Sequence, residues 1–275
     1  MSKISVIGLD LAKNVFQVHA VDGNGKEGLR RQLSRRQMHA FFAKLPPCLI
    51  GMEACGGAHY WYRTLTEFGH TVRLMSPAFV KPYLKSNKND RNDAEAICEA
   101  VQRPNMRFVA PKSPEQQAVL HLHHARRQLV RHRVAIGNHI RAVLTEYGIC
   151  LPQGVKVVSQ RLPALLEDAE NALPMLTRHL LAELKAEHDT LIERAQQLEV
   201  QLKAWHETSE HSQRLQGIPG VGVLTATALV ATVGNGQAFR NGRQLSAYLG
   251  LVPRQASSGG KDRLLGISKR GDGYL

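Results

Sequence analysis

Only four cysteines occur in 275 residues, and no two of them stand as C-x-x-C. Cys48, Cys55, Cys98 and Cys150 are too dispersed for a disulfide framework or a zinc ribbon, and this usage suits a reducing compartment. Long apolar runs are also missing. The longest, GVLTATALVATVG, is too short and too glycine-rich to span a bilayer. The opening MSKISVIGLD lacks the pattern of a signal peptide. These absences predict a soluble, cytoplasmic protein with no membrane partner. There is no internal repeat and no low-complexity tract. Acidic residues are in the minority: 23 Asp and Glu face 36 Lys and Arg, a net charge of +13. So basic a balance points to a polyanionic partner. Apolar residues make up 43%, enough for a real core and too many for wholesale disorder.

The first hundred residues alternate between strand and helix signals. KISVIGLD (3–10) and NVFQVHAVD (14–22) read as strands close enough for an antiparallel hairpin. GKEGLRRQL offers a third strand and RRQMHAFFAKL a helix. CLIGMEA (48–54) suits a buried strand. A helix in AHYWYRTLTEFG stops at Gly69, and HTVRLMS is a further strand. This order predicts a mixed α/β sheet. Within AHYWYRTLTEFG, Tyr60, Trp61 and Tyr62 suit base stacking or, at helical spacing, a core.

Residues 114–148 are helical and basic, with an apolar seam through Leu122, Leu129, Ile136, Ile140, Val143 and Tyr147. Its histidines His121, His123 and His124 lack the Cys or Glu that would complete a zinc set. Residues 180–207 carry a heptad. Leu181, Leu184, His188, Leu191, Ala195, Leu198, Leu202 and Trp205 alternate spacings of 3 and 4, which predicts a coiled coil and a homo-oligomer, at least a dimer. LQGIPGVGVLTATALVATVG has the Gly-x-Gly turn of a helix-hairpin-helix, a turn that presents N–H groups to phosphate through Gly220 and Gly222. Domains are expected at 1–110, 111–210 and 211–275.

The stretch KNDRNDAEAI places Asp90 and Asp93 on one face of a helix's first turn. Helix capping needs one acid, not two. Asp10 ends the first strand and Glu53 ends another. Four converging carboxylates would repel one another unless cations sat among them. Two Mg²⁺ ions, about 4 Å apart, would bind such oxygens and clamp both the attacking and the leaving oxygen of a phosphodiester.

GLDLAK, MEACGG and KNDRNDAEAI, followed by GIPGVG, AYLGLVPRQASSGGK and GISKRGD, resemble in order and spacing the DEDD transposases of bacterial insertion sequences. The resemblance covers nearly the whole chain. It implies a ribonuclease H-like (RuvC-like) nuclease domain, a helical and coiled-coil connector, and a small, mainly helical, serine-bearing domain. It also implies that Asp10, Glu53, Asp90 and Asp93 bind Mg²⁺, and that a serine of SSGG attacks DNA. Ser258, directly before Gly259, fits the pattern best, with Ser257 the alternative. Members of the family use a structured bridge RNA to choose donor and target DNA, and synapsis of two DNAs suits a tetramer. Candidate nucleic-acid contacts are Lys13, Lys88 and Arg91 near the acids, and Arg126, Arg127, Arg131 and Arg133 on the long helix. Lys261, Arg263, Lys269 and Arg270, which follow the serine in sequence, are further candidate phosphate contacts. Two departures stand out: the chain stops at RGDGYL, where a truncated second domain is expected, and Gly273 replaces a larger residue. The competing readings are a RuvC-like, structure-selective nuclease that needs no serine, and a non-catalytic nucleic-acid-binding remnant.

Overall fold

The computed structural model describes residues 4–84, 90–269 and 271–275. The chain divides into two compact units, Met1–Ser113 and Pro114–Leu275.

The first unit is built on a six-stranded sheet. Its elements run β1 (Ile4–Asp10), β2 (Val15–Asp22), β3 (Glu27–Ser34), α1 (Arg35–Phe42), β4 (Leu49–Glu53), α2 (Ala58–Glu67), β5 (Thr71–Met75), α3 (Pro77–Val80), α4 (Asp90–Val101) and β6 (Phe108–Val109). The strand order is β3-β2-β1-β4-β5-β6. The three leading strands form an antiparallel meander, β4 and β5 run parallel to β1, and β6 returns antiparallel on β5. The order with its antiparallel start is that of a ribonuclease H-like sheet, and β6 is an edge strand that the sequence reading did not anticipate.

Alternation sorts the two faces. Ile7, Leu9, Val18, Leu33, Ile50 and Met52 pack with Met38 and Phe42 of α1 and Trp61 and Leu65 of α2. Each fully buried side chain of this size contributes about 1.5–3 kcal/mol. Trp61 is 1% exposed, so it belongs to this core, whereas Tyr60 is 45% exposed. Helix α4 covers the other face through Ala96, Ile97, Ala100 and Val101.

The second unit is mostly helical: α5 (Pro114–Thr145), α6 (Val157–Glu167), α7 (Met175–Thr208), α8 (Glu210–Gln216), α9 (Val223–Val233) and α10 (Gly242–Tyr248), then a hairpin of β7 (Pro253–Gln255) and β8 (Leu264–Ile267). Helices α5 and α7 run antiparallel side by side. Trp205 Nε1 donates to Glu115 at 2.8 Å, Arg126 pairs with Glu199 at 2.7 Å, and Tyr147 meets Thr177 at 3.0 Å. The heptad seam is present, with Leu181, His188, Leu191, Ala195 and Leu202 buried. These seam residues pack against α5 of the same chain. His188, a weak seam residue, is accommodated because it faces Gly137, where an added Cβ would stand 3.6 Å from His188 Nε2. Among the described residues no helix is long and apolar enough to cross a membrane.

Candidate active site

Parallel pairing of β1 with β4 runs Ile7↔Ile50, Gly8↔Gly51 and Leu9↔Met52. One residue further, at the carboxyl ends of neighbouring strands, stand Asp10 and Glu53. Alternation puts them on the face of Gly8 and Gly51, opposite the Leu9–Met52 core. Those two glycines seat α4. A Cβ on Gly8 would lie 2.1 Å from the Ala94 carbonyl oxygen and 2.4 Å from Cys98 N, and one on Gly51 would lie 2.7 Å from Val101 Cβ. Only a bare backbone allows this approach. Asp93 immediately precedes Ala94, so its half-buried position lies in the helical turn seated beside β1. An ion pair from Arg30 of β3 to Glu95 of α4, at 3.0 Å, further fixes the helix.

Cys55 reports the charge gathered here. Its thiol pKa is raised first by burial and then by the negative charges of Glu53 and Asp10. A concentration of negative charge among hard oxygen donors is the chemistry that Mg²⁺ requires. The Asp90 backbone opens α4, but its side chain lies outside the described residues, as do Lys88 and Arg270. Among the described residues no cluster of three or more His, Cys, Asp and Glu is arranged to hold a metal ion.

Ser258 lies in the second unit, in the β7–β8 hairpin rather than in an irregular loop. Lys261 N–H donates to Ser258 O at 3.0 Å, and Ser258 N–H to Lys261 O at 3.3 Å. Between them Gly259 and Gly260 have φ of 56° and 76°. Two consecutive positive φ values make the tight turn whose twist matches that of a hairpin, and glycine adopts them without strain. The two serines differ. Ser257 Oγ accepts from Gln255 Nε2 at 2.8 Å and from the Arg263 N–H at 3.4 Å. Ser258 is exposed, and its hydroxyl has no hydrogen-bond partner among the described residues.

The structure sorts the predicted nucleic-acid contacts. Lys13, Arg91, Arg131, Lys261, Arg263 and Lys269 are exposed, and Arg133 is half-buried. Arg126 is engaged by Glu199, and Arg127 lies 3.8 Å from Asp272 and stacks on Tyr274. His123 is fully buried, with its ring nitrogens 2.8 Å from Tyr274 Oη and 3.0 Å from Thr227 Oγ1. Burial lowers its pKa to about 4, so it is a neutral core link. Gly220 takes φ 87° in the turn between α8 and α9, and Gly222 caps α9. The glycine seats escaped the sequence reading. Their signal was the twin pattern Ile7-Gly8-Leu9-Asp10 and Ile50-Gly51-Met52-Glu53, a small residue two places before each acid.

Residues 7–149 match the IS110-type DEDD transposase family, and residues 212–275 match the transposase IS116/IS110/IS902 family. The chain belongs to the IS110/IS116 family of transposases. The transposase is 51% identical to a "Probable family 20 transposase" of Pseudomonas aeruginosa over 99% of this chain and 81% of the relative. It is 45% identical to the "Transposase for insertion sequence element IS1328" of Yersinia enterocolitica, over all of this chain and 81% of that one. A more distant relative, 24% identical over 94% of this chain and 75% of its own length, is the "Pilin gene-inverting protein" of Moraxella bovis.

Proposed function

We propose that this insertion-sequence transposase cuts and rejoins DNA with Mg²⁺ and a serine nucleophile. The observation that carries the reading is the Leu9↔Met52 register, which brings Asp10 and Glu53 to adjacent strand ends beside the first turn of α4. Asp10, Glu53, Asp90 and Asp93 would hold the cation, in keeping with the field felt by Cys55. When bound, the metal supplies charge neutralisation and Lewis acidity toward a phosphodiester. The protein residues divide the remaining work. The carboxylates fix the cation's position, and rigid strands keep them from spreading under mutual repulsion.

Ser258 is the nucleophile in this reading. Its uncommitted hydroxyl and the open turn after it favour it over Ser257, whose hydroxyl bridges the hairpin. Attack replaces one DNA ester at phosphorus with a serine ester, and the free DNA hydroxyl of a second strand later reverses the exchange. A guide RNA, donor and target DNA, a cytoplasmic site of action and self-association as a dimer or tetramer belong to the same reading and rest on the family resemblance and the α7 heptad. The Moraxella relative's printed role in gene inversion is in keeping with strand exchange.

The experiment is co-expression with the flanking noncoding DNA plus donor and target duplexes, followed by isolation under denaturing conditions. A Mg²⁺-dependent protein–DNA adduct is expected, lost in Ser258→Ala and retained in Ser257→Ala. Asp10→Ala and Ser258→Ala should each abolish recombination. Recombination surviving in either one refutes the reading, and cutting of branched DNA by Ser258→Ala would instead mark a hydrolytic nuclease.

A further inference from the structure

A phosphate backbone is bound by exposed cations that no carboxylate already balances, and hydrogen-bonding side chains fix its register. Some basic residues of this chain are already balanced and others are not. Arg30, Arg103, Arg126 and Arg127 each face an acidic residue of the same unit. Lys13, Arg35 and Arg36 are exposed, and among the described residues none of the three forms an ion pair.

These three residues are neighbours in the fold. Lys13 lies in the turn just after Asp10. The Arg35 backbone N–H donates to Asn14 O at 3.0 Å, and Arg35 Nε donates to Lys13 O at 2.9 Å. The start of α1 is thereby tied to the end of the sheet where β1 delivers Asp10. Arg35 is also held on the α1–α2 side of that sheet end, with its guanidinium 5.5 Å from the Phe16 ring centroid and 5.8 Å from that of Trp61. Stacking of this kind fixes the guanidinium plane and leaves N–H donors at its edge.

An amide row continues the acid row. Register aligns Asp10 with Gln17, and Gln17 with Gln32. Directly opposed residues share a face, so these side chains lie on the face of Asp10 and Glu53. Gln17 is only 8% exposed, and its Nε2 donates to Gln32 Oε1 at 3.3 Å. Gln32 is exposed at the end of this row, where an amide suits sugar and phosphate oxygens.

The geometry points to a backbone-binding rim at this end of the sheet, in which the exposed Lys13, Gln32, Arg35 and Arg36 receive the DNA strand cut at Asp10 and Glu53, with Gln17 holding Gln32 in place. This rests on the catalytic reading above. From β4 to β3 there are three strand spacings, about 14 Å at about 4.8 Å each. That distance matches about four nucleotides at about 3.4 Å of rise per nucleotide.

The test is equilibrium binding without divalent metal, using a duplex that carries one element end, across a salt series. Removing two phosphate contacts in Lys13→Ala/Arg36→Ala should lower the slope of log affinity against log salt by about 2. Lys13→Arg/Arg36→Lys should restore it, and Arg103→Ala, already balanced by Glu99, should leave it unchanged. Neutral methylphosphonates within about four nucleotides of the cut should weaken binding of the native chain and not of the double alanine variant.

An unchanged slope, an affinity loss without a slope change, or methylphosphonate effects remote from the cut would overturn the rim. So would a slope change confined to RNA. The Asp10→Ala chain should keep the slope while losing recombination. If it recombines, the catalytic reading fails; if the slope ignores Lys13 and Arg36, the rim fails whatever Asp10 does.

Discussion

The acid-bearing sheet and the serine-bearing hairpin hold chemical groups in opposite ways. On β1 and β4, Ile7, Leu9, Ile50 and Met52 are all 0% exposed, and α4 closes the other face on two glycines. Every residue of β7 and β8 is exposed, including Leu264 at 67% and Ile267 at 48%. A lone two-stranded hairpin gains little from burial. Its base is held by Ser268 N–H to Val252 O at 2.8 Å and Lys269 N–H to Gly250 O at 3.0 Å, and its tip by the Gly259–Gly260 turn. Carboxylates that repel one another need a rigid frame. A serine that must approach a phosphate needs access, and local turn geometry is enough to aim it.

The contrast is broken most severely at Gly8. Gly8→Val should cost about 3 kcal/mol or more, because the new side chain meets the backbone of α4 rather than a yielding side-chain tip. A lowered melting temperature with loss of recombination is expected. A native-like melt would mean that α4 is not seated as described.

Next in size is the pH response of the second unit. His123 has a folded pKa of about 4, below its ordinary value near 6.5. Between these values the unfolded chain binds the extra proton, so stability is full above pH ~6.5 and falls as pH drops toward ~4, by up to about 3 kcal/mol. The melting temperature should fall over that window, and more shallowly in His123→Leu. An equal pH slope in both chains would remove His123 from the account.

The smallest effect on stability should come at the hairpin tip. Gly260→Val forces a β-branched residue to φ 76° and should cost about 1–2 kcal/mol locally. The global melt should barely move while recombination drops. A large global loss would show that the hairpin is as integral to its unit as β1 is to the sheet.

Much of the first unit was legible because alternation and turn signals are local. The strands ending at Asp10 and Glu53 and the helix opening at Asp90 could be found from the residues themselves. The heptad from Leu181 to Trp205 was equally legible as a stripe. A stripe specifies an apolar face and not its partner, however, and α5 of the same chain packs against it. Likewise ARRQ (125–128) and LRRQ (29–32) read alike as basic runs, and only the placement of Glu199, Asp272 and Glu95 separates balanced arginines from unbalanced ones.

By itself, the sequence determined the residue types, their periodicities and the four acids that carry the family likeness, since these depend on neighbours within a few positions. Tertiary structure alone decided that Gly8 and Gly51 stand side by side, that Gln17 and Gln32 extend the line of Asp10, and that His123 is buried. Those facts rest on strand register and helix docking, which join residues far apart in the chain and are settled only when the whole core packs.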